Sequence, residues 1–251
     1  MDVAIVEVQK YAGCGIDFQC TVKEILSVAK SGEVVASRVC SLPMPRCLPK
    51  LPDNIWEEST NEALEIARES LKSSNRIDSH ALAIESLEHL SCSQHCRIFC
   101  AKAILSAESE LLRVIVSFIN QPDLSSRQKS EDCAVGLDDL YLMMRRGAVN
   151  TLSNCLESLT DAIQSSEKII DCLLSVADEA TLSAMAHDIV RAESNPHDAA
   201  ASVRCVKLLC QFNDNIKQRV LKLGVTGHIA NAATCRHSML QQESNGLLKL
   251  L

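Results

Sequence analysis

The sequence predicts an all-α chain assembled from four or five stacked helical units. Three observations carry this. Of 251 residues only 8 are glycine and 6 proline, so long stretches are free of helix breakers. Apolar side chains recur at i, i+4 and i+7, the spacing that puts them on one face of a helix. The pattern itself recurs roughly every forty residues, which is the signature of a repeat architecture. A single unit with one apolar stripe cannot bury it alone, whereas neighbours stacked in order can.

The chain reads in two parts. Residues 1–52 form an N-terminal segment in which DVAIVEVQK alternates like a strand and TVKEILSVAKSGEVVASRV is helical or mixed. It closes on LPMPRCLPKLP, whose four prolines exclude helix and mark a linker at 42–52. Residues 53–251 read as one helical repeat domain, broken by polar loops at 121–129 and 193–198.

Within that domain an apolar pair three residues apart marks each unit. The pairs are Leu87 with Leu90, Leu137 with Leu140, Leu173 with Val176, Leu209 with Phe212, and Leu247 with Leu250. Four positions before the first anchor stand Ala83, Cys133, Ile169 and Cys205, with Glu243 as the exception. Two glycines sit in matching contexts: Gly147 precedes Val149, Leu152 and Leu156, and Gly224 precedes Val225, Ile229 and Ala233. Both are read as corners between helices, where glycine accepts positive φ. A phosphate loop is excluded, because neither glycine follows a strand or belongs to a glycine-lysine motif.

Composition narrows the function. A net charge of −7 argues against a nucleic-acid surface, which needs clustered Lys and Arg. Arg145 with Arg146, and Lys217, Arg219 and Lys222, are short basic runs of the kind found on solvated helix faces. The longest apolar-rich run, Leu111 to Ile119, is too short to cross a bilayer, and Met1 is followed by Asp2 rather than a leader, so a soluble, cytoplasmic protein is expected without membrane insertion. Thirteen cysteines are too few for a disulfide scaffold of this length and read as small buried apolar residues in a reducing compartment.

No nucleophile, base and orienting acid occur together in a known catalytic pattern, so no enzyme activity and no cofactor are expected. His187 with Asp188, and His197 with Asp198, are sequence neighbours that diverge on a helix and read as surface or cap residues. Asp198 is expected to cap the helix that follows. The sharpest cluster is HLSCSQHCRIFC. If it were one continuous helix, Cys92, Cys96 and Cys100 would share a face and offer thiols to zinc or to redox chemistry. Burial in the core is the default reading of these three, and metal or redox responsiveness the alternative.

The units around GAVNTLSNCL and KIIDCLLSVA resemble the armadillo repeat, with the related HEAT repeat fitting the less regular units. The resemblance implies a right-handed superhelical solenoid whose units have a short first helix, a second helix after a corner, and a longer third helix. It also implies a scaffold or adaptor that grips a peptide or a partner's helix along the third helices. On the anchor register, Glu85, His89, Asp139, Asp171, Lys207 and Gln211 are the groove candidates. The tryptophan and asparagine ladder that reads nuclear localisation signals is missing, since Trp56 is the only tryptophan and lies outside the series. The apolar end GLLKLL adds a third expectation, an obligate subunit of a larger complex stacking there on another chain.

Overall fold

The computed structural model describes residues 53–73, 77–106, 109–120, 137–160 and 166–251, all helical or in short connections, with no strand among them. The expected N-terminal strand, the proline-rich linker and the 121–129 loop lie outside the described residues. The chain divides into two compact units, 1–100 and 101–251.

In the first unit, Asp53–Ser73 (α1) packs against Ile77–Cys92 (α2). Trp56, Leu64, Ala67 and Leu71 recur at helical spacing on α1 and are buried, as are Ala83, Ile84 and Leu87 on α2. A turn at 93–96 leads into Arg97–Ile104 (α3), which spans the division between the units. Over that turn the exposed His95 ring lies flat on Trp56, centroids 4.7 Å apart and planes 9° apart.

The second unit continues with Glu110–Ile119 (α4), Leu137–Ser158 (α5), Glu167–Val176 (α6), Glu179–Val190 (α7), Pro196–Phe212 (α8), Asp214–Lys222 (α9), Thr226–Ala232 (α10) and Ser238–Leu248 (α11). Local chemistry starts most of these helices. The Ser109 hydroxyl accepts from the Leu112 amide, Asp178 from Thr181, Asn213 from Asn215, and the His237 ring from Leu240. Pro196 opens α8 at its first turn, where the missing N–H costs nothing.

Two layers result. Helices α5, α8 and α11 lie side by side, with α8 packed between the other two, while α4, α7 and α10 pack in the same order behind them. The triplets α6–α7–α8, of 10, 12 and 17 residues, and α9–α10–α11, of 9, 7 and 11 residues, each run from a short first helix to a longest third one. This is an all-α repeat fold of the expected kind, and α8 is its best-buried helix, hiding Ala199, Ala200, Ala201, Val203, Cys205, Val206, Leu208, Leu209 and Cys210.

Two expectations need correction. Gly224 has φ +69°, the only positive φ among the described residues, and turns the chain between α9 and α10. Gly147, in contrast, is buried midway along α5. A glycine inside a helix costs about 1 kcal/mol. Burial of Met144, Val149, Leu152 and Leu156 on the same helix is worth about 1.5–3 kcal/mol for each side chain and easily outweighs that. The counterpart of the Gly224 corner is Ala177 and Asp178, between α6 and α7.

The anchor register is the second correction. Leu209 and Leu247 both end up fully buried on third helices, α8 and α11. Leu173 is also buried, but on α6, a first helix, and Leu137 stands at the very start of α5. An apolar pair three apart marks any amphipathic helix, so it does not tell first helices from third ones.

Candidate functional site

The row α5, α8, α11 carries the largest number of named site candidates, and its surface follows from which α8 residues escape burial. Arg204, Lys207 and Gln211 recur at three and four residues along α8 and remain accessible. Arg204 donates to Glu157 of α5 at 2.5 Å, and Lys207 donates to Glu243 of α11 at 2.5 Å. At the other end of α8, Arg146 of α5 reaches Asp198 at 3.4 Å, and His237, the N-cap of α11, meets His197 at 3.3 Å. Two side-chain contacts thus join α8 to each neighbour, and between them lies a polar stripe ending at the exposed Gln211.

Beneath this stripe is a buried polar junction between α5, α7 and α8. Arg145 Nη2 donates to Asp188 Oδ2 at 3.1 Å and to the carbonyl of Ala184 at 2.5 Å, and lies 3.0 Å from Asp188 Oδ1 as an ion pair. The buried Ser202 hydroxyl donates to Asp188 at 2.7 Å. Side-chain exposures of 9% for Arg145 and 12% for Asp188 put both charges largely out of water. Burial pushes the Asp188 carboxyl up to about 6, against the opposing pull of Arg145 and the Ser202 hydrogen bond; Asp198 adds to the rise and His187 subtracts from it. A small half-open cleft lined by Leu142, Arg146, Val149 and Ala201 opens onto the junction. Its polar groups are engaged mainly with one another, so its chemistry is that of a cross-link between helices.

Sequence reasoning missed this junction. Arg145 with Arg146 reads as a basic run, yet Arg145 is buried against Asp188 and Arg146 faces Asp198. Asp198 lies in the first turn of α8 rather than capping it, since the N-cap is Asn195. The available signal was positional: Arg145 falls beside Met144, Ala148 and Val149, and Asp188 beside Met185 and Ile189, in otherwise apolar stripes. A charge at such a position needs a partner. Arg219 is a similar case, donating to the carbonyls of Leu174 at 3.2 Å and Ala177 at 2.8 Å and so closing the C-terminal end of α6.

The other candidates are distributed differently. Glu85 and His89 are half-buried on α2 in the first unit. Asp171 is exposed on α6, outside the row of third helices. Asp139 belongs to the first turn of α5. The row therefore gathers Lys207 and Gln211 on one helix and adds Arg204, Glu157 and Glu243, which the anchor register did not select.

The cysteine cluster is not one helix. Helix α2 ends at Cys92, Cys96 closes the turn, and Cys100 lies in α3, so the shared face that three thiols would need does not form. Cys96 and Cys100 are buried while Cys92 is exposed, its thiol 3.3 Å from the His89 carbonyl. Among the described residues no group of three or more His, Cys, Asp or Glu is placed to hold a metal, and no cysteine is in a disulfide. Burial pushes the Cys205 and Cys210 thiols up to about 12 and raises Cys172 as well, which keeps them protonated and poor nucleophiles.

No family model matches the sequence, and no curated protein matches it. Among solved structures, an engineered protein from a structural genomics consortium aligns over 91% of this chain and 97% of its own, at 13% identity and a TM-score of 0.48. A designed armadillo repeat protein aligns over 94% of this chain and 93% of its own, at 12% identity and a TM-score of 0.44. What places α5, α8 and α11 in a repeated series is their own packing and the helix order on either side of it. No helix among the described residues is long and apolar enough to cross a membrane.

Proposed function

We propose that this chain is a protein-interaction scaffold, binding an extended peptide or a helix of a partner protein along the open face of α5, α8 and α11. The observation that supports this most is the side-by-side placement of the three helices, which turns one short stripe per helix into a continuous polar surface. Arg204, Lys207 and Gln211 supply donors along it, Glu157 and Glu243 supply acceptors, and the mixture suits a peptide backbone with alternating charge better than a polyanion. Glu85 and His89 form a second polar patch on α2, Asp171 extends the polar surface of the second unit, and Asp139 is a further candidate by its position at the start of α5. The protein works without a cofactor in a reducing, cytoplasmic setting.

A peptide selected on the whole protein from a random displayed library tests this reading. Replacing Lys207 by Glu together with Gln211 by Ala should weaken that peptide by about tenfold or more, the size expected for losing a charge-assisted contact and a neighbour. Unchanged affinity in the folded double variant, or a peptide cross-linking only to α4, α7 and α10, would remove the proposal.

A further inference from the structure

The buried junction leaves one donor of Arg145 unused. Its Nη2 serves Asp188 and the carbonyl of Ala184, whereas its Nε–H is buried and has no acceptor. With the Arg145 side chain only 9% exposed, bulk water does not make up the loss. A buried N–H without a partner costs free energy that a group able to accept from it recovers. Arg145 lines the small half-open cleft between α5, α7 and α8, together with Arg146, Asp188, Asp198 and Ser202.

Size and charge select what can enter. The cavity volume is about 10 Å³, room for one group the size of a water. Two arginines line the cleft with two aspartates, paired as Arg145 with Asp188 and Arg146 with Asp198. An incoming carboxylate therefore meets two carboxylates and an incoming cation two guanidiniums, and neither finds a net opposite charge. A neutral hydroxyl suits the site, because it can accept from Arg145 Nε and donate to a carboxylate at the same time. Asp198 is the available carboxylate, 18% exposed and held by Arg146 at a long 3.4 Å. Leu142, Val149 and Ala201 give the carbon that carries the hydroxyl an apolar wall. Such a hydroxyl reproduces the hydrogen bonds that solvent would make there, so it enters without losing one.

Access comes from the row of third helices. The Arg146–Asp198 pair belongs both to the cleft and to the polar surface between α5 and α8, and Arg146 is 40% exposed. A peptide lying along α5, α8 and α11 passes the mouth of the cleft. We infer that the cleft is a specificity pocket for one serine or threonine side chain of that peptide, whose hydroxyl accepts from Arg145 Nε and donates to Asp198. The pocket presupposes the peptide-binding face proposed above and adds the side chain that this face selects.

The peptide selected on the whole protein is the probe, with each position replaced in turn by threonine, valine, aspartate and lysine. One position should prefer threonine. Valine there, which has the same shape without the hydroxyl, should bind about tenfold more weakly, the loss expected for a hydrogen bond to a charged donor. Aspartate and lysine should lose at least as much. In the wild-type protein the Arg145 Nε–H resonance should shift with the threonine peptide and stay in place with the valine one, a readout that needs no variant to fold. Ala201→Val fills the cleft and should remove the preference for threonine over valine. A peptide weakened by the Lys207 and Gln211 double variant but showing no such position, preferring aspartate or lysine there, or leaving the Arg145 resonance unmoved, would overturn the pocket and keep the peptide face. A preference that survives in folded Ala201→Val would do the same. A peptide indifferent to the double variant would remove the face, and the pocket with it.

Discussion

The two flanks of α8 are closed by different chemistry. Towards α5 and α7 the seam encloses the Arg145–Asp188–Ser202 junction, charged groups held largely out of water. Towards α11 the seam is mostly apolar, with Leu240 and Leu247 of α11 fully buried, and its ion pair, Lys207 with Glu243, keeps its lysine end the more exposed. The difference teaches what each seam tolerates. An apolar seam loses stability in proportion to the volume removed. A seam with a buried ion pair fails when one partner is deleted, because the other is left as an unpaired charge.

The largest expected effect breaks the charged flank. Arg145→Met leaves Asp188 without its counter-charge and should destabilise the protein by about 3–5 kcal/mol at neutral pH, measured by urea unfolding. Much of that loss should return on acidification, as Asp188 becomes protonated. A loss that does not shrink with falling pH would mean that Asp188 is not the group left exposed. On the apolar flank, Leu247→Ala should cost about 2–5 kcal/mol and show no such recovery.

The wild-type pH dependence sharpens the contrast. The Asp188 carboxyl titrates near 6 in the folded chain, against about 3.9 in an unfolded one. Between these values the folded state holds a proton that the unfolded state has released. The contribution of Asp188 to stability is therefore complete below about pH 4 and is lost as the pH rises through about 6. Asp188→Asn should flatten this part of a stability–pH profile, while Glu243→Gln on the other flank should leave it in place.

Smaller effects follow at the edges. Gly224→Ala meets no atom within 4 Å but must hold φ +69°, so it should cost roughly 1–2 kcal/mol through backbone strain alone. Gly147→Ala carries no such backbone penalty, and the difference between the two variants in thermal unfolding checks which glycine is the corner. Lys207→Ala leaves Glu243, whose side chain is 13% exposed, without its counter-charge and should cost more than the roughly 1 kcal/mol of a fully exposed pair, but less than Arg145→Met because Lys207 is the more exposed cation.

Much of the local structure was legible in the sequence. The apolar stripes of α8 and α11, the corner at Gly224 and the buried anchors Leu209 and Leu247 all follow from spacing and residue type. Gly147 was misread because its sequence context matches that of Gly224; only the packing of α5 against α4 and α8 makes a continuous helix the better solution there. Asp188 was misread because its partner is Arg145, 43 residues earlier, and nothing within one helix turn announces it.

Most of the helicity and the direction of the apolar faces were determined by the sequence alone, because they depend on residues within about one turn of each other; the continuity of α5 through Gly147 and the cap of α8 at Asn195 rather than Asp198 were not. Which helices became neighbours was decided only by the tertiary structure. Every stripe can bury itself against several others, and the choice rests on shape, volume and charge pairing between residues far apart in the chain. That choice put Lys207 and Gln211 in the row of third helices, left Asp171 outside it and placed Arg145 against Asp188.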